Sequence, residues 1–391
     1  MFATKPFLLA STFVIAQILA PQAACDRRQP NPPPQSNDPW ANVPILETWT
    51  TGDGVRLGAQ VLLSNLDVPW SMAFAPDGRL FFTERVGRVR VVQNGQLLAQ
   101  PALTLADVRA VGEGGVLGIA LHPDFAQNRL AYVAYTATRQ DGEPVNRVIR
   151  VRESNNEFVE ATLLLDNIPA ANNHDGARLR FGPDRKLYVT TGDAGNPALS
   201  QTLASLSGKI LRINDDGTTP LDNPFGSPVW TWGHRHPQGI DWNPVTGDTW
   251  ATEHGGSGND ELNRIIPGAN YGWPVIEADE SRPDMVTPVL FYTPAIAPSG
   301  MSFYTSPRMP ALRGNIFFAA LRGMHIRRVV LDTLDPTRPV AQEGLFIGRF
   351  GRIRDVITGP DGALYFCTSN RDGRTTPVAA DDRIGRIVPL Q

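Results

Sequence analysis

The stretch ARLRFGPDRKLYVTTGD, residues 177–193, decides the fold. Apolar and β-branched residues flank Gly182-Pro183-Asp184, whose turn chemistry reverses the chain, so two short antiparallel strands are predicted. Five further copies of this pattern surround it: SMAFAPDGRLFFTE (71–84), LGIALHPDFAQNRLAYVAYT (117–136), QGIDWNPVTGDTWATEH (238–254), GMSFYTSPRMPALRGNIFFAAL (300–321) and RDVITGPDGALYFCTSN (354–370). Their turn prolines are Pro76, Pro123, Pro183, Pro244, Pro307 and Pro360. A unit recurring six times at roughly this length is an array of supersecondary units. Helical periodicity is almost absent, and each unit is long enough for four strands. Closing such units radially protects the sheet edges that an open stack would expose. The expectation is an all-β, six-bladed β-propeller, with the strand around Ala59 to Leu63 completing the last blade.

The 391 residues carry 36 Lys plus Arg against 39 Asp plus Glu, a formal charge of −3. Such a balance argues against electrostatic binding of nucleic acid, which needs a strongly basic face. Gly (36) and Pro (34) are abundant, in keeping with frequent turns. Two cysteines, Cys25 and Cys367, exclude a disulfide-stapled scaffold. After Lys5, the apolar run Phe7–Ala20 is too short for a membrane span of roughly 20 residues and fits a secretory signal over 1–24. Export to the periplasm is expected. Cys25 stands where a bacterial lipoprotein carries its acylated cysteine, although Gln22 replaces the usual Leu; lipid anchoring and plain cleavage both stay open. Residues 25–45, rich in proline and polar groups, read as an extended tether ahead of the body, 46–391. Cys367, in an apolar run, reads as a buried small hydrophobe.

In every repeat the turn joins antiparallel strands, so residues just before the first strand and just after the second share the opposite edge. Those positions collect Glu113; His174, Arg178 and Asp193; Arg235, His236 and His254; Arg322; and Arg352 with Arg354. In a closed ring the arginines converge on the channel mouth, where guanidinium forks suit a multiply anionic ligand. The hairpin between His174 and Asp193 brings the two to one edge, and a carboxylate beside an imidazole turns the histidine into a general base. The segment TEHGGSGNDELNRIIPGANYGW (252–273) is dense in glycine and oxygen ligands. Gly255 and Gly256 can turn carbonyls inward, and Glu261 is a hard carboxylate, a set that suits calcium; a glycine-rich inter-blade loop is the competing account. There is no P-loop, nucleophile elbow or paired C-x-x-C signature. GEGGVLG (112–118) precedes a strand rather than opening a helix, which discards a dinucleotide loop.

GEGGVLGIALHPDF (112–125), HDGARLRFGPDRKLYVTTGD (174–193), GHRHPQGIDW (233–242), EHGGSGNDELN with NYGWP (253–274) and GRIRDVITGPDGALY (351–365) together resemble the soluble aldose sugar and quinoprotein glucose dehydrogenases that use pyrroloquinoline quinone (PQQ). The resemblance implies PQQ over the channel mouth with Ca2+ beneath it. It makes His174 the base that takes the sugar hydroxyl proton, Asp193 its orienting partner, and Arg235 the group that polarises the quinone carbonyl. Arg178, His236, His254, Arg322, Arg352, Arg354 and Glu113 fall to the cofactor site, and Gly255 and Gly256 to its calcium. Glu261 with the Tyr271 backbone resembles a second calcium site. An aldose substrate and an external electron acceptor follow. Four positions depart from the family pattern: Glu113 replaces Gln, His236 replaces Asn, His254 replaces Gln, and Arg322 replaces Lys. A non-catalytic sugar- or ligand-binding propeller is the alternative, since one scaffold hosts both roles.

Overall fold

The computed structural model describes Met1 and residues 38–256 and 258–390. The expected leader, most of the tether and Cys25 lie outside these residues. The chain divides into two units, Met1–Asp38 and Pro39–Gln391, and every described strand belongs to the second. That unit starts at Pro39, ahead of the expected boundary at residue 46, and the Trp40 indole packs against an apolar cluster containing Leu66, Phe82 and Tyr365.

Six antiparallel sheets account for nearly all the ordered structure. Their innermost strands are Pro69–Phe74, Val116–Leu121, Gly176–Phe181, Pro237–Trp242, Pro298–Phe303 and Ile353–Thr358. Each packs against the next and the last against the first, so the ring closes as a six-bladed propeller. All six repeats read from the sequence are the inner hairpins of the blades. Arg56–Leu63 pairs with Ile384–Pro389, so a strand from the start of the ring completes the last sheet. This velcro-like joint ties the ends of the ring together, and a closed ring leaves no open stack edge.

The second strands show why the sheets stack. Leu80–Glu84, Leu187–Thr191, Thr249–Glu253, Ile316–Ala320 and Leu364–Thr368 are buried at every position, each sandwiched between neighbouring sheets. Aromatic side chains fill the inter-blade space; Phe81 of the first blade stacks on Phe158 of the second with centroids 5.3 Å apart. Cys367 is fully buried among these residues, as a small hydrophobe should be. Among the described residues no helix is long and apolar enough to cross a membrane.

One irregularity recurs in every blade. The register of the inner hairpin shifts between Pro69 and Met72, Val116 and Ile119, Gly176 and Leu179, Pro237 and Gly239, Pro298 and Met301, and Ile353 and Asp355. A β-bulge re-aims the side chains it contains. Here it turns Trp70, Arg178, Gln238 and Arg354 towards one another at the start of the channel.

Candidate active site

The loops ahead of the inner strands and after the second strands meet at one end of the channel and enclose a cavity of about 630 Å3. Glu113, Arg235, His236, His254, Gly255, Gly256, Arg322, Arg352 and Arg354 line it, together with Gln238, Asp260 and Arg374. The edge rule thus collected one site from five separate segments of the sequence.

His174 stands beside it, its ring centroid 5.2 Å from that of His236. Its Nδ1 lies 2.7 Å from Asp193 Oδ1. Asp193 is fixed in turn by the Gly195 N–H at 2.8 Å on the same oxygen and by Trp273 Nε1 at 2.9 Å on Oδ2. Burial opposes the charge of Asp193, yet its hydrogen bonds, that of His174 foremost, hold it below the usual carboxylate range. The carboxylate therefore accepts a hydrogen bond from the imidazole Nδ1–H and leaves Nε2 as the unprotonated, basic nitrogen. His174 itself sits in the left-handed region at φ 59°, a conformation a side-chain-bearing residue adopts only where its surroundings enforce it. Gly192 permits it here: a Cβ there would lie 1.8 Å from the His174 carbonyl oxygen.

Arg235 is placed by Glu253, which accepts its backbone N–H and also binds the buried His234 ring at 2.7 Å. The Arg235 guanidinium lies over the Trp273 ring at 5.3 Å. Arg352 donates two hydrogen bonds to Asp372 Oδ2, at 2.9 and 2.8 Å, and Arg354 donates to Gln238 Oε1 at 3.1 Å. Burial pushes Arg354 down to about 10. Arg322 is exposed at the cavity edge. His236 is buried and His254 half-buried, their rings 4.9 Å apart, and desolvation followed by neighbouring positive charge holds both well below the usual imidazole range, so both are neutral at neutral pH. Glu113 accepts the His174 N–H at 2.8 Å and Arg374 Nη2 at 2.7 Å. Burial works against its charge, but the positive charge of Arg374 and the His174 N–H outweigh it and hold Glu113 below the usual carboxylate range.

Arg178 departs from its expected place at the mouth. The bulge turns it inward, where Nη1 lies 3.2 Å from Asp355, Nε donates to the Gln238 carbonyl at 2.9 Å, and the guanidinium covers the Trp70 ring at 4.1 Å. It lines a second cavity of about 470 Å3 on the turn side of the channel. Its charge is matched by Asp355 rather than offered to the mouth.

The cavity suits a polyanion. Among the described residues Arg235 Nε, Arg354 Nε, His236 Nδ1 and His254 Nε2 are buried there without a hydrogen-bond partner, and five lining arginines stand against two lining carboxylates, Glu113 and Asp260. Among the described residues no three His, Cys, Asp or Glu side chains are grouped so as to hold a metal ion. Cβ atoms on Gly255 and Gly256 would lie 1.9 Å from the Asn259 carbonyl oxygen and 2.1 Å from Glu277 Oε1, so only glycine lets the backbone pass there. Glu261 faces a small cavity shared with Glu253, Glu277 and Tyr271. Burial, with the charge of Glu253 adding to it, pushes its carboxyl well above the usual range. A divalent cation would relieve that repulsion.

The sequence reading did not single out Trp273, Gln238, Asp260, Asp372 or Arg374 as site residues. The edge rule itself reaches Asp372 and Arg374, which follow the second strand of repeat six. Gln238 becomes a channel residue only through the bulge.

The family model for glucose / sorbosone dehydrogenase matches residues 66–377. The chain is 37% identical to the uncharacterized protein slr1608 of Synechocystis, over 87% of this chain and 89% of that protein. It is 33% identical to the aldose sugar dehydrogenase YliI of Escherichia coli, over 83% and 93% respectively. Among solved structures it is similar to the PQQ-bound form of an aldose sugar dehydrogenase from Streptomyces coelicolor, with a TM-score of 0.76 and 33% identity, covering 85% of this chain and 98% of that one.

Proposed function

The chain belongs to the glucose/sorbosone dehydrogenase family, and from that premise we propose that it is a PQQ-dependent dehydrogenase that oxidises aldose sugars at the anomeric carbon to lactones. The observation that carries this reading is the 2.7 Å His174–Asp193 pair standing beside a cavity lined by five arginines. PQQ, when bound, supplies the acceptor for the hydride and its two electrons, which pass on to an external acceptor.

His174 Nε2 removes the proton of the anomeric hydroxyl as the carbon–hydrogen bond breaks and the carbonyl forms. Asp193 stabilises the imidazolium that results, and Trp273 and Gly195 hold Asp193 in place. Arg235 would hold its guanidinium ready to stabilise negative charge on a bound quinone carbonyl. Arg322, Arg352, Arg354 and His236 would hold the cofactor carboxylates, His254 and Glu113 completing the wall. The carbonyls of Gly255 and Gly256 would take the cofactor calcium, and Glu261 with the Tyr271 backbone a second ion. Export through the 1–24 leader would put this chemistry on the periplasmic side, with Cys25 either acylated or left beside the cut; the mass of the mature N-terminus decides between the two.

The functional test is to load purified protein with PQQ and calcium and follow dye reduction by a panel of aldoses. Reduction by at least one aldose is expected, and His174→Ala abolishes it while PQQ still binds. Bound cofactor with no reduction by any sugar would favour the non-catalytic binding module.

A further inference from the structure

Glu113 and Arg374 are 261 residues apart, yet Arg374 Nη2 reaches Glu113 Oε1 at 2.7 Å across the rim of the cavity. Glu113 precedes the inner strand of the second blade, and Arg374 follows the second strand of the sixth. The bridge therefore crosses the rim past the first blade.

The two carboxylates that line the cavity differ in how they are balanced. Asp260 spends its charge on backbone amides, accepting from Gly255 at 3.2 Å and from Ile296 and Ala297 at 2.6 Å each. Glu113 accepts one backbone amide, that of the His174 residue, has Nδ1 of the neutral His236 ring 3.6 Å away, and takes its ion pair from Arg374. Its side chain is only 18% exposed, so solvent does little to screen it. The Arg374 loop is held in place: Asp372 Oδ1 accepts the Arg374 N–H at 3.0 Å while its Oδ2 binds Arg352. An exposed ion pair contributes little to stability, but this one sits where a ligand bearing several negative charges would arrive.

We propose that Arg374 is a positioning residue that cancels the charge of Glu113 at the cavity rim, so that Glu113 can brace the backbone of the His174 base without repelling a polyanionic cofactor. The assignment rests on the PQQ reading.

The test is equilibrium titration of the calcium-loaded apo-protein with PQQ, for wild type, Arg374→Ala, Glu113→Gln and the double variant. Arg374→Ala is expected to weaken PQQ binding about 10- to 100-fold by leaving a carboxylate uncompensated, and Arg374→Lys to recover most of the loss. Glu113→Gln binds at least as tightly as wild type, and the double variant matches Glu113→Gln within about threefold, since there is no charge left to cancel. Thermal melting of each apo-protein reports folding, and Arg374→Gln replaces the alanine variant if that one does not fold. A loss from Arg374→Ala that persists undiminished in the Glu113→Gln background means direct cofactor contact and overturns the assignment, as does wild-type affinity in Arg374→Ala. Wild-type protein that binds no PQQ in the same titration overturns the cofactor reading, and this assignment with it.

Discussion

The His174 imidazole and the Asp193 carboxylate, at the two ends of one hairpin, meet at 2.7 Å between Nδ1 and Oδ1, with Trp273 of the following blade clamping the far oxygen of the carboxylate. The pair is thus built by one repeat and locked by the next. A local hairpin supplies proximity, and the neighbouring blade supplies direction.

Asp193→Asn keeps the volume but lets the amide donate to Nδ1, which forces the imidazole proton onto Nε2 and removes the base. A fall in kcat of about 10²- to 10⁴-fold is expected, with PQQ affinity within about threefold of wild type. Steady-state kinetics beside a PQQ titration would separate these; a large loss of affinity with kcat intact would show that Asp193 serves the cofactor and not the base.

Arg178→Ala strands Asp355 as a buried charge, since the pair is the main balance on that side of the channel. We expect destabilisation of about 3–5 kcal/mol, measured by urea unfolding, and partial recovery in Arg178→Met with Asp355→Leu. Arg354→Ala, by contrast, is expected to lower PQQ affinity before it lowers stability. Equal effects of the two arginine variants on PQQ binding would place Arg178 at the cofactor after all.

Asp175 is buried, and burial pushes its carboxyl up to about 7; its Oδ2 has no hydrogen-bond partner among the described residues. An acid whose folded-state value is raised favours the fold while protonated. That contribution is complete at low pH and is lost as pH rises from about 4 to about 7. Asp175→Asn should flatten this slope and raise stability at pH 8 by roughly 2–4 kcal/mol. Melting temperatures across pH 4–8 decide it, and parallel curves for the two proteins would count against the assignment.

Gly256→Ala would bring a Cβ within 2.1 Å of Glu277 Oε1 and 2.7 Å of the Trp273 ring. Displacing the backbone there should weaken calcium binding by about tenfold or more, through misplaced carbonyl oxygens. Isothermal calorimetry with calcium alone, on protein shown to melt cooperatively, provides the check. Unchanged affinity would move the ion elsewhere.

The strands, the six-fold repeat and the closing strand were legible because a pleated strand alternates and a turn needs proline, glycine or aspartate, constraints that act within a dozen residues. The edge rule placed Arg235, Arg322, Arg352 and Arg354 at one rim for the same reason: antiparallel hairpins fix which end a residue occupies. Arg178 obeyed that rule in sequence but not in space, because an extra residue in each inner strand rotates the side chains that follow. Nothing in the residue types at 176–179 marks that bulge.

Sequence alone therefore determined the blades, their number and the edge at which the polar groups gather, since these depend on local backbone geometry and on the period of the repeat. Only the tertiary structure decided which arginines face the cavity and which are neutralised beneath it. It also decided that Glu113 finds Arg374 from a distant blade, because ring closure, and no local preference, sets which loops become neighbours.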